Sequence, residues 1–581
     1  MIKEFSFSND KAMMNFSVLY CDSQEKVLRS NGFYRLMSVY IEKRKKRNSN
    51  IYKYINDEIP GKNDDEKINN IIKLFQLLTV MNADEIITME HSYKKILTEK
   101  SQLIALIEDI YSFWRKIERY TIVENNRINK GIASVTFEEA NTKFSYLILD
   151  LYRNIEKHVL GIVPKVYRQV PAGGNASLLI KKMPWPIPND YTQLEGIPFI
   201  DTISLETPFI TYPKKNTRDG YFEEINYNPV VRCSINKEHW FCFPIKVGEL
   251  LAFIYFHRDF MDHGVSLCNL FEIAKDEEYR GKKPDIIYVF GAKDPSEEVK
   301  TVFYDDEKND IMLGYVSYGD KIDYFGYMKK MTLTLHNLLM IKRGCLPIHG
   351  AMVNIVMKNG KSANVIIVGD SGAGKSESLE AFRSLSEEYI SDMTIVFDDM
   401  GTLKMEKDQI KAYGTEIGAF VRLDDLDQGY AFKEIDKSIF MNPDKTNARL
   451  VMPVATYDEI MRGYNVDFLL YANNFSEVKE GEKAIELFKE PGDAVITFKE
   501  GKRLAKGTTS EEGLVKSYFA NPFGPHQKQK ETDKLLEYYF EECFKENIKV
   551  GVIKTSLALK NMEKIGPRNA AVELFRLIKE L

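Results

Sequence analysis

Cysteines are scarce in this chain, and none lie close together. The six (Cys21, Cys233, Cys242, Cys268, Cys345 and Cys543) form no Cys-x-x-Cys pair. This argues against a zinc knuckle or a disulfide framework and fits a reducing compartment. No apolar run approaches the ~18 residues that cross a bilayer. The opening residues Met1-Ile2-Lys3-Glu4-Phe5 are charged and lack the apolar segment of a secretory leader, so a cytoplasmic location is expected. A dominant charge is missing too. The net charge of −5 on 581 residues gives no overall attraction for nucleic acid or anionic membrane, and neither is expected as a partner. The one basic run, Lys43-Arg44-Lys45-Lys46-Arg47, could touch an anionic partner but reads first as a solvated helix end. There is no internal repeat and no low-complexity tail.

What is present is the balance of a folded protein, 44% apolar and 28% charged, in a chain too long for one ordinary core. Residues 1–160 carry apolar positions at three- and four-residue spacing, as in Ile71-Ile72-Lys73-Leu74-Phe75-Gln76-Leu77-Leu78 and Tyr146-Leu147-Ile148-Leu149-Asp150-Leu151. This predicts a helical accessory domain, with a partner or oligomer contact as the alternative role. Pro164, Pro171, Pro184, Pro186, Pro188 and Pro198, with Gly173-Gly174 among them, break that period and place a boundary near 160. From there to 330, β-branched and aromatic runs such as Phe241-Cys242-Phe243-Pro244-Ile245 and Asp285-Ile286-Ile287-Tyr288-Val289-Phe290 predict a mixed α/β substrate-side domain. Residues 331–581 continue as α/β. The fold class expected is mixed α/β.

The strongest local pattern is Gly369-Asp370-Ser371-Gly372-Ala373-Gly374-Lys375-Ser376, which fits Gly-x-x-x-x-Gly-Lys-Ser. The apolar run Ala363-Asn364-Val365-Ile366-Ile367-Val368 precedes it, and the helix-compatible Glu377-Ser378-Leu379-Glu380-Ala381-Phe382 follows. Glycines let successive backbone N–H groups turn toward phosphate oxygens, Lys375 adds charge, and the Ser376 hydroxyl reaches Mg²⁺. ATP and Mg²⁺ are therefore the expected ligands. Downstream, Met393-Thr394-Ile395-Val396-Phe397 reads as a strand ending in Asp398-Asp399, a pair suited to hold a metal ion beside the phosphates.

Three further stretches, taken in order with the loop, carry a resemblance: Lys283-Pro284-Asp285 with Gly291-Ala292-Lys293, then Tyr324-Phe325-Gly326-Tyr327-Met328-Lys329-Lys330, then Leu346-Pro347-Ile348-His349. Over roughly 230–545 the chain resembles ATP-dependent phosphoenolpyruvate carboxykinase. The resemblance implies a two-lobed core with the phosphate loop in the C-terminal lobe, plus the N-terminal helical extension. It further implies that Lys330, His349 and Asp399 hold a catalytic Mn²⁺, that Lys375 and Ser376 serve the phosphates and Mg²⁺, and that Tyr324 lies in the same site. Arg449, in Asn447-Ala448-Arg449, matches an arginine bridging phosphate and substrate, as a planar fork of donors can. Arg422 stands where that family has a nucleotide-contacting lysine. Gly507-Thr508-Thr509-Ser510 and Asn521-Pro522-Phe523-Gly524 resemble segments walling the nucleotide pocket, which makes Thr508 a nucleotide contact.

The chain also departs from that family. Its substrate-binding Thr-Gly-Arg-Ser-Pro-Lys-Asp stretch has no counterpart here; the nearest candidates are Arg29-Ser30 and Arg218-Asp219-Gly220. The loop with Glu377, together with His349-Gly350, also resembles HPr kinase/phosphorylase over about 345–400, which implies a kinase with Asp398 as base. Three functions are thus in view: a carboxykinase acting on oxaloacetate, a kinase on another phosphoryl acceptor, and a nucleotide-binding scaffold.

Overall fold

The computed structural model describes residues 4–8, 10–46, 49–124, 132–161, 173–293, 300–370, 372–423, 437–479, 481–505 and 513–581. Its contacts divide the chain into two compact units, Met1–Lys182 with Pro198–Glu206, and Met183–Ile197 with Thr207–Leu581. The class is mixed α/β.

The N-terminal unit contains strands β1 (Phe5–Ser8) and β2 (Lys11–Asn15), then helices α1 (Gln24–Arg29), α2 (Asn31–Lys46), α3 (Asn50–Glu58), α4 (Asp64–Leu78), α5 (Ala83–Met89), α6 (Lys94–Thr98) and α7 (Lys100–Lys116). Strand β3 (Glu118–Glu124), helix α8 (Ile132–Leu160), β4 (Ala176–Lys181) and β5 (Phe199–Leu205) complete it. Helix α4 shows why such segments are helical. Asn63 caps its N-terminus by accepting from Glu66 N at 2.9 Å, and Asp64, Asp65 and Glu66 face the positive end of the dipole. Its Ile68, Ile71, Leu74, Phe75 and Leu78 form one buried stripe, each side chain contributing about 1.5–3 kcal/mol when fully buried.

The expected helical region is thus helical in the main, but it also carries strands. β2 pairs antiparallel with β1 and parallel with β3, and β3 pairs parallel with β4. β2 is buried along all five residues, so it shows no polar/apolar alternation to betray it. The basic run behaves as a helix end: Arg44 pairs with Asp109 at 2.6 Å, Lys45 with Asp64 at 2.7 Å and Lys46 with Glu42 at 2.7 Å, while Lys43 pairs with Asp10. Arg47, and Pro164 and Pro171, lie outside the described residues.

The C-terminal unit opens with β6 (Phe209–Thr211), β7 (Glu223–Glu224), β8 (Trp240–Val247), β9 (Leu250–His257), α9 (Met261–Ser266), β10 (Glu272–Ile273), α10 (Asp276–Tyr279), β11 (Ile286–Ala292), β12 (Thr301–Asp306) and β13 (Ile311–Ser317). Within it β8-β9-β11-β13-β12-β7 lie side by side, β9, β11 and β13 running parallel. Helix α11 (Phe325–Lys342) is buried on nearly every face, as a helix between packed layers must be. The expected boundary at 330 falls inside this helix, so the substrate-side and phosphate-loop regions belong to one unit.

A second sheet follows, built from β14 (Leu346–Met357), β15 (Ser362–Val368), β16 (Ile390–Glu406), β17 (Gln409–Gly414), β21 (Tyr464–Asn465), β22 (Phe468–Asn473), β23 (Ile485–Leu487) and β26 (Lys549–Lys554). Its order is β21-β17-β16-β14-β15-β22-β26-β23. Helix α12 (Lys375–Ser384) leaves β15 through the phosphate-loop motif. A four-stranded sheet joins β18 (Gly418–Arg422), β20 (Arg449–Pro453), β19 (Ile439–Met441) and β6, and β24 (Lys502–Leu504) pairs with β25 (Leu514–Lys516). Among the described residues no helix is long and apolar enough to cross a membrane.

Candidate active site

The phosphate-loop motif has the expected succession, β15 ending at Val368 and α12 starting at Lys375. Gly369 N donates to the His349 carbonyl at 3.0 Å, which ties the loop to β14. Gly374 adopts φ 108°, and a Cβ there would meet Thr555 Oγ1 at 2.7 Å, so no other residue fits. Asn474 Nδ2 donates to the Gly372 carbonyl at 3.0 Å and Thr555 Oγ1 to the Ala373 carbonyl at 3.3 Å. The Lys375 amine donates back to the Gly369 carbonyl at 2.6 Å, and burial lowers its pKa. Glu377 lies in the first turn of α12. Ser371 and Thr508 are outside the described residues, and so is the side chain of Ser376.

The sequence reading placed Asp398-Asp399 at a strand end. In the structure β16 continues for seven residues beyond them to Glu406, held by β14 on one side and β17 on the other. Asp399 sits in this ladder with φ 139°, a backbone state that costs about 1–3 kcal/mol and persists where surroundings enforce it.

What surrounds Asp399 supplies that enforcement. Lys329 donates to its Oδ2 at 2.8 Å, Lys330 donates to the same oxygen, and His349 Nε2 lies 2.9 Å from its Oδ1. Lys375 Nζ is 4.0 Å away. Burial alone would raise the Asp399 pKa, but the Lys329 and Lys330 charges outweigh it and hold the carboxylate well below the usual range. Burial, helped by the Lys329 charge, pushes the Lys330 amine down to about 8. Burial would lower Lys329 too, yet Asp399 and Glu416 raise it. Burial lifts Glu416, 3.1 Å from Lys329, to about 8. Near neutral pH the pocket therefore holds several cations around one firmly ionised carboxylate.

The other face of His349 is fixed by backbone. Its Nδ1 lies 2.5 Å from the Ala520 carbonyl, presented by a turn in which Phe519 and Ala520 take φ 51° and 49°. Burial lowers the His349 pKa, while the Asp399 carboxylate works against that shift; Nδ1 faces the Ala520 carbonyl and Nε2 faces Asp399 Oδ1. With its proton on Nδ1, His349 could join Asp399 and the Lys330 amine, whose pKa is lowered, in holding a divalent cation. Two nitrogen donors and one oxygen donor would suit a divalent transition-metal ion.

Two aromatic rings frame this cluster. Phe523 carries the Lys330 amine at 4.6 Å and the Arg218 guanidinium at 5.4 Å from its centroid, and lies 5.8 Å from the His349 ring. Phe420 carries Arg449 at 5.3 Å and Lys329 at 5.8 Å. Arg449 is the cross-strand partner of Arg422, and Tyr324 lies 6.0 Å from Phe420, its hydroxyl in the field of Arg449 and Arg218. The structure thus brings together Lys330, His349, Asp399 and Lys375, with Arg449, Arg422 and Tyr324 beside them. Asp398 follows on the same strand, its pKa raised by burial and by Asp399. Arg29, the other candidate for a substrate arginine, is an exposed helix residue paired with Glu25 at 2.9 Å.

Sequence reasoning placed Asp370 in the loop but missed its partner Arg503 and several other groups. Asp370 is engaged by Arg503 Nε at 3.2 Å and lies 3.8 Å from His349 Nδ1; nothing local marks Arg503. Lys329 was passed over although it adjoins Lys330. Asp262, His263 and Asp323 bring one ligand atom each within 4.8 Å of one another, with His263 Nε2 2.9 Å from Asp323 Oδ1. Asp323 Oδ2 also accepts from Lys214 N at 3.1 Å. That bond fixes the segment carrying Arg218, which is further held by Tyr327 Oη accepting from Asp219 N (3.1 Å), Asn442 Nδ2 on the Pro213 carbonyl (2.8 Å) and Asn447 Nδ2 on the Asn216 carbonyl (2.6 Å).

No family model matches the chain, and no curated protein matches it.

Proposed function

We propose that this pocket transfers the γ-phosphoryl group of ATP, and that the reaction is of the carboxykinase type, oxaloacetate and ATP giving phosphoenolpyruvate, ADP and CO₂. The observation that carries the reading is the meeting of Lys330 and His349, from α11 and β14, on the carboxylate of Asp399 on β16, 4.0 Å from the phosphate-loop lysine. Held by Lys330, His349 and Asp399, Mn²⁺ would supply Lewis-acid stabilisation of negative charge; Mg²⁺ would accompany the nucleotide at Ser376.

The chain's own groups divide the remaining work. Lys375 neutralises the β- and γ-phosphates, and Arg449 bridges the transferring group and the acceptor. Arg218, sharing the Phe523 ring with Lys330, offers the carboxylate anchor that the sequence reading could not assign. In the reaction the C–C bond to the departing carboxylate breaks and its electron pair stays on the remaining carbon skeleton as an enolate. The enolate oxygen then forms a bond to the γ-phosphorus as the bond to ADP breaks.

The test is release of CO₂ from oxaloacetate by the purified chain with ATP and Mn²⁺, phosphoenolpyruvate appearing in equal amount. Nucleotide binding without that turnover rejects the reading. One observation favours a second: Asp398, its pKa raised by burial and by Asp399 against the pull of Lys375, is suited to act as a general base toward a hydroxyl. Transfer of labelled γ-phosphate to HPr or to a small hydroxylated acceptor, abolished by Asp398→Asn, would select that kinase instead.

A further inference from the structure

The connection from β6 to β7 carries Arg218, whose guanidinium lies 5.3 Å from the Phe222 ring centroid and 5.4 Å from that of Phe523. Residues 212–222 have no helix or strand and are mostly exposed, so groups outside this strap must fix its course against the entropy it would otherwise keep. Asp323 makes two of the connections by itself. Its Oδ2 accepts from Lys214 N at 3.1 Å and its carbonyl accepts from Lys215 N at 3.0 Å.

The other carboxylate oxygen of Asp323 faces His263. The His263 Nε2 lies 2.9 Å from Asp323 Oδ1, and Asp262 Oδ2 lies 3.5 Å from Nδ1 on the opposite edge of the ring. This imidazole is buried on α9, with the rings of Phe260 at 6.1 Å and of Phe290 and Phe325 at 6.2 Å. A polar ring costs more there than an apolar one of its size, and what it adds is a fixed direction for the Asp323 carboxylate. The ligand atoms of Asp262, His263 and Asp323, all within 4.8 Å of one another, would also suit a cation. Hydrogen bonding is the better reading, because both Asp323 oxygens already face nitrogen partners.

We propose that His263 is a positioning residue, which acts through Asp323 to set the course of the strap and with it the place of Arg218. The consequence for ligand binding rests on the carboxylate-anchoring role proposed above for Arg218; the effect on the strap does not. The experiment compares the full chain with His263→Leu, and with Lys214→Pro, which deletes the N–H that Asp323 receives from the exposed strap and leaves the buried groups untouched. Hydrogen exchange over residues 212–222 should quicken about tenfold in both, the worth of one hydrogen bond to a charged group, while α11 and α12 keep the parent's rates. His263→Gln, which returns an N–H near the Nε2 position, should restore most of the protection. Calorimetric titration with oxalate, a dicarboxylate probe, should show affinity three- to tenfold weaker in His263→Leu and Lys214→Pro, with ADP binding unchanged. Parent-like exchange of the strap in both variants overturns the proposal, and so does a parent strap loosened by a chelator, which would make the three groups a cation site. If Arg218→Met weakens oxalate while the other two variants do not, this inference fails alone; if Arg218→Met binds oxalate as the parent does, the anchoring role of Arg218 fails and takes the ligand-binding consequence with it.

Discussion

In the N-terminal unit the buried guanidinium of Arg119 donates to the backbone carbonyls of Gly173, Trp114 and Ile117. Burial pushes it down to about 10, yet neutral oxygens satisfy it where it lies. In the C-terminal unit Lys329, Lys330 and Lys375 crowd one carboxylate, Glu416 is pushed to about 8, and Arg449 Nε has no hydrogen-bond partner. The first arrangement is complete and serves folding. The second holds positive charge at a cost, since like charges in a low dielectric repel, a cost that the proposed binding of a polyphosphate would offset.

The contrast breaks first at Lys375. Its polar contacts are the Gly369 carbonyl and the edge of Asp399, so Lys375→Ala should fold normally while turnover falls about 10²–10³-fold or more. Steady-state kinetics on a variant of unchanged thermal unfolding checks this. Retained turnover would make the C-terminal lysines as structural as Arg119.

Asp399→Asn comes next. Removing the shared anion leaves Lys330 without its counter-charge and Lys329 with Glu416 alone, at a cost of about 3–5 kcal/mol, and Mn²⁺ affinity should fall with it. The native carboxylate has a pKa depressed below its ordinary 3.8, so its stabilisation is present above that value and is lost as pH falls through the folded pKa. Denaturant unfolding at neutral pH should therefore separate variant from parent, and the two should converge only in strong acid. A variant equally stable at pH 7 would refute the assigned role.

Arg119→Met sharpens the comparison from the other side. It strips donors from three carbonyls, for a loss of about 3 kcal/mol, and should leave kcat and KM of the folded protein untouched. A kinetic defect in folded Arg119→Met protein would show that the N-terminal unit serves the reaction as well.

Residues show which parts of this were legible in sequence. The loop at 369–376 was, because its strand, turn and helix are contiguous and the φ demanded of Gly374 leaves a local trace. Lys330, His349 and Asp399 were named through the order of their motifs, since no local pattern separates Lys330 from a surface lysine. Strand β2 was not legible, because it is buried along its length without alternation and, besides the adjacent β1, pairs with Glu118–Glu124 a hundred residues away. The run of β16 past Asp399 depends on β17, which follows it, and the engagement of Asp370 by Arg503 spans 133 residues. The Phe523 ring lies against Lys330 and His349, a contact that its motif did not specify. Which ring a cation chooses is decided by packing.

The smallest effect tests how far the cation-rich site is pre-arranged. Asn447 Nδ2 donates to the Asn216 carbonyl at 2.6 Å, two residues before Arg218 in one direction and two before Arg449 in the other. One side chain therefore links the segments that carry both arginines. Asn447 itself takes φ 61°, a left-handed state that asparagine tolerates better than alanine. Asn447→Ala removes the bond and adds that backbone strain, while Asn447→Gly removes the bond alone. Both should raise KM for the anionic acceptor about fivefold, near 1 kcal/mol, with kcat changed less because Lys375, Lys330 and Asp399 keep their places. If Arg218 stands apart from the acceptor, the glycine variant will keep the parent's KM, and the cations around Phe523 will then owe nothing to the segment Asn447 secures.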